Sequence, residues 1–431
     1  IHAFTTWAVV NSLCARVLRA QLRLATLLIC SSTAPLAKSS NLMFSRFVDN
    51  SYAAPVRKNL DRLVWGRLAS NACYRFAPPF IAVIARGLDV SMAQMGVALM
   101  IGEFAGLGSP ILGRIVDRGN RVTSMTIGMV ALTLGVIGAA TSTTIVQFAI
   151  SMFLLSGAKV LFDTALIVWV NDHVEYERRG RIVGIIETSW ALSLFIGVAI
   201  MGLATALISW RAGFIVGAIG MAVTGSLIAS ELPRDEAHAP VRTELRGSIP
   251  RNAYFVFASS FLLMGASQCL GITFGPWFED EFGFSSAALI GVVIVLGLFE
   301  LVSSIGSSRV TDTWGKEISV RRGAVLMVIA TVAMAAAPHV SFIAVPMLVL
   351  FLMGFEFSLV SMLPLAANIV PNSGGIGLGL TVGAGTCGRA IFSTVATSLY
   401  DSVGPVGPAL AAVALSAITV MLISLYARSV R

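Results

Sequence analysis

Eight ionisable side chains lie within long apolar stretches of this sequence. An ionisable group at the depth of a bilayer core costs about 3 kcal/mol or more unless it is paired or faces a polar cavity. Each of the eight is therefore a candidate for proton transfer, for ion pairing or for contact with a charged substrate. They are Arg75, Glu103, Lys159, Asp163, Glu187, Glu300, Glu356 and Arg389.

Glu356 is the first candidate for a group that binds and releases a proton. It follows Gly354 by two residues, as Lys159 follows Gly157, so the two side chains are predicted to lie at equal depth. That placement makes Lys159 or Arg389 a predicted partner of Glu356 across a cavity.

Two further acids are proton-coupling candidates. Asp163 lies four residues after Lys159, on the same helical face, which predicts an ion pair that is either structural or functional. Glu103 is surrounded by glycines that allow close helix approach, so it is either a buried, hydrogen-bonded acid or a proton carrier.

The remaining polar groups are candidates for lining a substrate cavity. Arg75 is expected to bind an anion or to pair with Glu103 or Asp163, whereas Glu187 and Glu300 are expected nearer one membrane surface, in interhelical contacts or a vestibule. Arg67 is predicted to extend to that surface, with no function. The full set of cavity candidates is Arg75, Lys159, Glu187, Gln268, Glu300 and Arg389. Five aromatic residues are expected either to form the cavity wall or to face lipid: Phe80, Trp169, Trp190, Phe274 and Trp277.

The composition is that of an integral membrane protein. Of the 431 residues, 56% are hydrophobic and 12% are charged, whereas soluble domains have roughly 45–50% and 25%. The net charge of +8 comes from basic residues in short connections and not from one continuous face, so nucleic acid is not an expected partner. The five scattered cysteines predict neither a disulfide framework nor a metal site.

Twelve apolar runs are long enough to cross a bilayer, which needs about 20 apolar residues per helix. Spans 1 to 12 are predicted at 64–85, 94–113, 122–141, 145–170, 182–206, 211–230, 253–276, 287–307, 322–338, 341–366, 376–398 and 405–427. The connections after spans 2, 4, 6 and 8 hold fourteen Lys and Arg residues, and those on the other side hold only Arg86 and Arg211. The positive-inside rule therefore predicts a multi-pass protein of the inner or plasma membrane with both termini in the cytoplasm.

The chain divides into two six-span halves. A polar connection at 231–252 separates an N-terminal bundle, 61–230, from a C-terminal bundle, 253–431, and residues 1–60 form an N-terminal extension, cytoplasmic or spurious. A shift of 195 residues superposes Gly113 and Asp117 on Ser308 and Asp312, which indicates an internal repeat. Repeats of this kind place a site at their interface, near the bilayer midplane, and suit alternating access.

The stretch GRIVDRGNR (113–121) between spans 2 and 3, together with the twelve spans, resembles the signature of the major facilitator superfamily. The segments SWRAGF (209–214) and ERRGRIVGIIETSWALSLFIG (177–197) are also similar to that family, the second to its bacterial drug and sugar efflux permeases. The resemblance implies an all-α membrane fold of two pseudo-symmetric six-helix bundles. It also implies a cytoplasmic gate whose contacts cross between the halves and latch the outward-facing state, formed by Gly113, Asp117, Arg118, Arg121, Asp172 and Asp312.

The predicted function is export of a small molecule by proton-coupled antiport. The alternatives are a symporter or uniporter for a sugar or organic acid and, more distantly, a non-transporting receptor. An enzyme is not expected, because the sequence has no Ser/His/Asp or metal-ligand cluster, and no Walker A motif is present to bind ATP. The expected energy source is a proton gradient with no cofactor, and the expected assembly is a monomer in the lipid bilayer.

Overall fold

The computed structural model describes Phe44, Val48 and residues 52–232, 249–370 and 374–430. Throughout these ranges the regular structure is helical. Most of the predicted extension at 1–60 and most of the connection at 231–252 lie outside the described residues, and residues 54–60 of the extension belong to the helix of span 1.

All twelve predicted spans are present. Nine are single α-helices: span 3, Arg121–Thr141; span 4, Ile145–His173; span 6, Trp210–Glu231; span 7, Ala253–Phe282; span 8, Ser286–Trp314; span 9, Lys316–Ala336; span 10, Ser341–Ala367; span 11, Gly374–Val403; and span 12, Val406–Ser429. Spans 1, 2 and 5 are interrupted.

Span 1 begins earlier than predicted and breaks near its end. Its helix covers Ala54–Arg75, a 3-10 turn follows at Pro78–Phe80, and a short helix covers Ile81–Leu88. The break falls at two consecutive prolines because proline supplies no N–H to the helix. The early start places the buried Asp61 carboxylate where it accepts the Phe44 N–H at 2.8 Å, and the Phe44 side chain is buried.

Span 2 extends beyond its predicted end and includes most of the signature stretch. Its helix covers Met92–Phe104, a 3-10 turn covers Ala105–Gly108, and a second helix covers Ser109–Arg118. Two glycines and a proline at 106–110 account for the interruption. Residues 113–118 are therefore helical, and the turn consists of Gly119 and Asn120, whose side-chain oxygen accepts the Thr123 N–H and caps span 3.

Span 5 consists of a helix at Tyr176–Leu192, a π-helical turn at Ser193–Val198 and a helix at Ala199–Leu207. Such a turn inserts an extra residue into the helix and rotates the side chains on either side of it. It begins three residues after Trp190, a residue of the central site.

The outer surface of the bundle is apolar. Nine helices of the described part are long and apolar enough to cross a membrane. Large hydrophobic side chains are exposed along spans 3, 6, 9 and 12, including Ile127, Leu134, Ile215, Val223, Ile329 and Met421. Hydrocarbon is the solvent that fits such a surface. Spans 1 and 11 are less apolar than these nine, and span 2 is apolar but shorter; the three carry Arg75, Arg389 and Glu103.

Each half is held together by glycine-mediated helix contacts. A Cβ atom on Gly128 of span 3 would lie 3.0 Å from Phe162 of span 4, and one on Gly323 of span 9 would lie 2.6 Å from the Gly354 carbonyl oxygen of span 10. Gly128 and Gly323 are separated by the same 195 residues as the sequence repeat. Small residues at these positions allow the close helix approach on which packing in lipid depends.

The two halves touch on one side of the membrane. We call the side of the connection between spans 2 and 3 the loop side, and the opposite side the far side. Towards the far side, span 2 packs on span 11, where a Cβ on Gly96 would lie 2.7 Å from the Ser393 carbonyl oxygen. Span 5 packs on span 8, where a Cβ on Gly297 would lie 2.6 Å from the Phe195 nitrogen.

Polar contacts also join the halves on the far side. Arg86 pairs with Glu279 of span 7, and Asp401 accepts the Ala93 N–H at 2.8 Å.

The same helix faces separate towards the loop side. Gly106 of span 2 contacts Thr386 of span 11, but Gly113, seven residues further along, and Gly379 opposite have open space in the Cβ direction. Gly184 of span 5 and Gly306 of span 8 also have open space. Spans 2 and 5 thus lose contact with spans 11 and 8 towards this end, so the cleft between the halves opens on the loop side.

Candidate functional site

A first charged bridge joins the halves at Glu300. Arg75 of span 1 lies 2.9 Å and 3.0 Å from the two Glu300 carboxylate oxygens, and Glu300 is fully buried in span 8. Trp190 of span 5 donates its Nε1–H to Glu300 at 2.9 Å, and its ring lies under the Arg75 guanidinium at 4.4 Å. This pairing across the halves replaces the predicted pairing of Arg75 with Glu103 or Asp163.

A second bridge joins the halves at Glu103. Arg389 of span 11 donates to the Glu103 carboxylate of span 2 at 2.8 Å and also donates to the Tyr74 hydroxyl. Tyr74 in turn donates to Glu103 at 2.7 Å. Glu103 is therefore both ion-paired and hydrogen-bonded between the halves.

The two bridges have related positions in the repeat. A shift of 195 residues brings Glu103 within one helical turn of Glu300. Each glutamate binds an arginine from the opposite half, and each accepts a hydrogen bond from an aromatic residue of the N-terminal half. Both bridges lie where the far-side contacts end and the loop-side cleft begins.

A third charged group lies within the N-terminal half. Lys159 pairs with Asp163, as their spacing predicted, and Arg67 lies 3.4 Å from Asp163 and 2.8 Å from Glu187. The prediction that Arg67 extends to the membrane surface is wrong, because its side chain is only 10% exposed and both of its partners lie inside the bundle.

Lys159 links this group to the two bridges. Its Nζ atom lies 5.5 Å from the centre of the Tyr74 ring and 5.8 Å from that of the Trp190 ring. Both rings are within the range of cation–π attraction. The charged residues from spans 1, 2, 4, 5, 8 and 11 thus form one continuous network.

The contacts of Glu356 differ from those that were predicted. The predicted partners Lys159 and Arg389 are paired with Asp163 and Glu103 instead, because equal depth does not determine which way a helix face points. Glu356 is buried, accepts a hydrogen bond from Ser304, and interacts electrostatically with Glu300 and Arg75.

One oxygen of the Glu356 carboxyl has no hydrogen-bond partner. Its Oε2 is buried and unpartnered among the described residues. A buried, ionised carboxylate without a partner is costly. Glu103 and Glu300 each pair with an arginine, whereas Glu356 has no ion pair among the described residues.

The other cavity candidates have structural contacts. Gln268 donates to Ser393 at 2.8 Å, between spans 7 and 11. Of the five predicted aromatics, Trp190 belongs to the charged network, and the others are buried in helix packing: Phe80, Trp169, Phe274 and Trp277.

The sequence reasoning missed Arg67 and Tyr74 as site residues. Arg67, Asn71 and Arg75 are spaced four residues apart, which places three polar groups on one face of span 1. Asn71 donates to Ser189 of span 5 on this face. That spacing was the available signal for Arg67, whereas Tyr74 carries no comparable signal.

The signature residues occupy the loop side. Arg121 pairs with Asp172 at 3.1 Å and donates to the carbonyl oxygens of Val116 and Gly119. Spans 3 and 4 belong to the same half, so the expectation that this pair crosses between the halves is wrong. Arg118 is exposed, and the side chains of Asp117 and Asp312 lie outside the described part of the structure.

No group of three His, Cys, Asp or Glu residues within the described ranges has the geometry to hold a metal ion. The site is a charged network with aromatic walls, and it is suited to binding charged groups and to exchanging one ion-pair partner for another.

The comparisons with known proteins agree on one family. The model of the Major Facilitator Superfamily matches residues 63–393. The uncharacterized MFS-type transporter YwfA of Bacillus subtilis (strain 168) is 26% identical over 151 residues, which is 35% of this chain and 36% of that relative. The aligned part thus spans about a third of the curated relative.

Solved structures share the fold. The human organic anion transporter MFSD10 has a TM-score of 0.64 at 15% identity, with 87% of this chain and all of that chain covered. A bacterial homologue of the human lysosomal transporter Spinster, inward-facing and occupied, has a TM-score of 0.69 at 14% identity, with 88% and 98% covered. The family model matches most of the sequence, and the fold has two six-helix halves around a charged central network. This chain therefore belongs to the Major Facilitator Superfamily of secondary transporters.

Proposed function

We propose that this protein is a proton-coupled antiporter that exports a small molecule by alternating access. The observation that carries the proposal is the buried Glu356 carboxyl, which has an unpartnered oxygen and lies beside the Arg75–Glu300 bridge. A proton bound there would remove the cost of a buried unpaired charge.

The position of Glu356 supports a link between its proton and the bridge. With Glu356 neutral, Arg75 pairs with Glu300 alone. With Glu356 ionised, two carboxylates compete for one guanidinium, which weakens a contact that joins the halves. Loss of the proton would therefore favour rearrangement of the halves.

The cleft supports the alternating-access part of the proposal. It opens on the loop side, which carries the fourteen basic residues and which we therefore assign to the cytoplasm. In this conformation a substrate would enter from the cytoplasm of a cell whose plasma or inner membrane holds the protein as a monomer. The proton gradient would supply the energy, with no cofactor.

The signature residues are proposed to act in the opposite state. When the loop side closes, the faces of Gly113 and Gly379 would approach each other, and Asp117 would come near the start of span 11. Helix N-termini attract carboxylates. Arg118 and the Arg121–Asp172 pair would then border this closed contact and hold it shut.

Efflux from cells expressing the intact protein or Glu356→Gln tests the proposal. We expect the intact protein to lower the cellular content of at least one compound in a labelled panel, and a protonophore to abolish this uphill efflux. The amide that replaces the carboxyl cannot exchange a proton, so the variant should bind the same compound but fail to lower its content below equilibrium.

Glu317→Gln is the control, because Glu317 lies in the first turn of span 9, away from the network. Unchanged uphill efflux by Glu356→Gln would discard Glu356 as the coupling residue. Proteoliposomes with a pH gradient imposed in each direction separate antiport from its alternatives: uptake that follows the proton indicates a symporter, and transport that ignores the gradient indicates a uniporter.

A further inference from the structure

A groove of about 270 Å³ runs between spans 3 and 6 on the surface of the N-terminal half. Its floor contains Ala140 and Ala218, which are both buried. Exposed isoleucines form its rims: Ile137 on span 3, and Ile215 and Ile219 on span 6. The small side chains on the floor and the large ones on the rims give the groove its depth.

The lining of the groove offers a ligand no unsatisfied polar side chain within the described residues. Two threonines line it, but each hydroxyl is bonded to its own helix. The Thr133 hydroxyl donates to the Met129 carbonyl oxygen at 2.8 Å, and the Thr141 hydroxyl donates to that of Ile137 at 3.0 Å. The other lining residues are alanines and isoleucines. Such a groove favours hydrocarbon over a polar solute.

The groove lies in the far-side leaflet of the membrane. Thr141 is the last residue of span 3, at the far side, and Thr133 lies deeper in the same helix. At about 1.5 Å per residue, the groove follows about 12 Å of span 3. One leaflet of the hydrocarbon core is about 15 Å thick. The groove is therefore long enough for most of one acyl chain.

A cation lies at the far-side end of the groove. Arg211 precedes Ile215 by one turn of span 6, and its Nη2 donates to the Ser142 carbonyl oxygen at 2.8 Å, next to Thr141. The guanidinium also lies over the Trp210 ring, 4.1 Å from its centre. These two contacts position the guanidinium where the groove meets the membrane surface.

Arg211 differs from the other basic residue of the far-side connections. Arg86 pairs with Glu279, whereas no carboxylate pairs with Arg211 within the part of the chain that the structure describes. A guanidinium has five N–H donors in a planar fork, and this fork matches the geometry of a phosphate group. A phosphate placed here would have hydrocarbon directly below it, as the phosphate of a lipid does.

We propose that Arg211 and this groove bind one anionic phospholipid of the far-side leaflet, with its phosphate at Arg211 and one acyl chain between Ile137 and Ile219. Basic side chains beside grooves between membrane helices recognise lipid headgroups by this chemistry. The bound lipid would bridge spans 3 and 6 and stabilise the N-terminal bundle. The site is separate from the central charged network, so the inference does not depend on the proposed function.

Lipid retention by the delipidated protein in detergent, measured by native mass spectrometry, tests the site. Phosphatidylglycerol and phosphatidylcholine with identical chains are compared. We expect one phosphatidylglycerol to bind about tenfold more tightly than phosphatidylcholine, because only the first has a net negative charge to pair with Arg211. Glycerol phosphate at the same concentration, which lacks the chains, should not displace it. Equal retention of the two lipids, or displacement by glycerol phosphate, would overturn the proposal.

Variants test the two ends of the site. Arg211→Gln should abolish the preference for phosphatidylglycerol, because the amide can still donate to Ser142 but carries no charge, and Arg211→Lys should keep it. Ala222→Phe places a ring in the deep end of the groove and should weaken retention of both lipids several-fold. The matched controls are Arg86→Gln and Ala414→Phe, at an exposed position of span 12, which should bind both lipids as the intact protein does.

A second measurement separates loss of the site from loss of the fold. A lipid that binds the folded protein raises its temperature of half-unfolding. Phosphatidylglycerol should raise this temperature in the intact protein and in Arg86→Gln, and should raise it less in Arg211→Gln. Equal shifts in all three proteins, or undiminished lipid retention by Ala222→Phe, would remove the lipid from this groove.

Discussion

At the scale of single residues, the main feature is that buried charges are paired across the two halves. Glu103 and Arg389 are 286 residues apart in the chain, and Tyr74 contacts both. Removing one member of a buried pair leaves an uncompensated charge, which is far more costly than removing both. The bridge is therefore testable by comparing single and double variants.

We expect Glu103→Gln and Arg389→Gln each to destabilise the protein by about 3 kcal/mol, and the double variant to recover most of that loss. The temperature of half-unfolding in detergent, measured for all four proteins, gives the coupling between the two residues. Arg428→Gln, at an exposed position near the end of span 12, is the control. Additive losses in the double variant would show that the two side chains do not form one bridge.

At the scale of helices, glycines determine where the halves can touch. Gly297 of span 8 allows the backbone of span 5 to approach, and Gly306 on the same helix has open space around it. Small residues at such contacts set the distance between helices in a membrane. A larger side chain should therefore disturb the helix contact at Gly297 and be tolerated at Gly306.

Gly297→Leu should force spans 5 and 8 apart on the far side and favour the state that is open there. The measurement is labelling of Ile290→Cys, at a buried far-side position of span 8, by a membrane-impermeant maleimide in proteoliposomes. We expect several-fold faster labelling in the Gly297→Leu background. Gly306→Leu is the matched control and should leave the labelling rate unchanged. Equal labelling rates in the Gly297→Leu and Gly306→Leu proteins would contradict the assignment of the far-side contact.

At the scale of the whole molecule, the cleft between the halves must close on the loop side during transport. In the structure, Gly113 of span 2 and Gly379 of span 11, beyond the contact of Gly106 with Thr386, have open space in the Cβ direction. Alternating access requires these faces to approach when the far side opens.

Cysteines at positions 113 and 379, in a protein whose five native cysteines are replaced, should therefore form a disulfide under mild oxidation. The cross-link should stop transport, and a reducing agent should restore it, because the halves would be held in one state. Gly113→Cys alone is the control. Transport that continues at the full rate with the cross-link in place would exclude closure of this cleft as part of the cycle.

Much of the fold is predictable from the local sequence. Each span is a continuous apolar run because the bilayer core leaves no other way to satisfy the backbone, and the interruptions at Pro78 and at Gly106–Gly108 are visible as helix-breaking residues. The Lys159–Asp163 pair is predictable because both residues lie on one helix, where spacing determines contact. The same local logic identified eight of the membrane-embedded charges, but not Arg67.

Partner choice between helices is not predictable in this way. Arg75 and Glu300 are 225 residues apart, and depth alone led to the wrong partners for Glu356, because the rotation of each helix about its axis is set by packing against its neighbours. The sequence by itself determined the membrane fold, the two halves and most of the charged residues of the site, since these depend on composition and spacing along single helices. Only the tertiary structure decided which charges meet, which acid is left unpaired and on which side the cleft opens, since these depend on how twelve helices pack together.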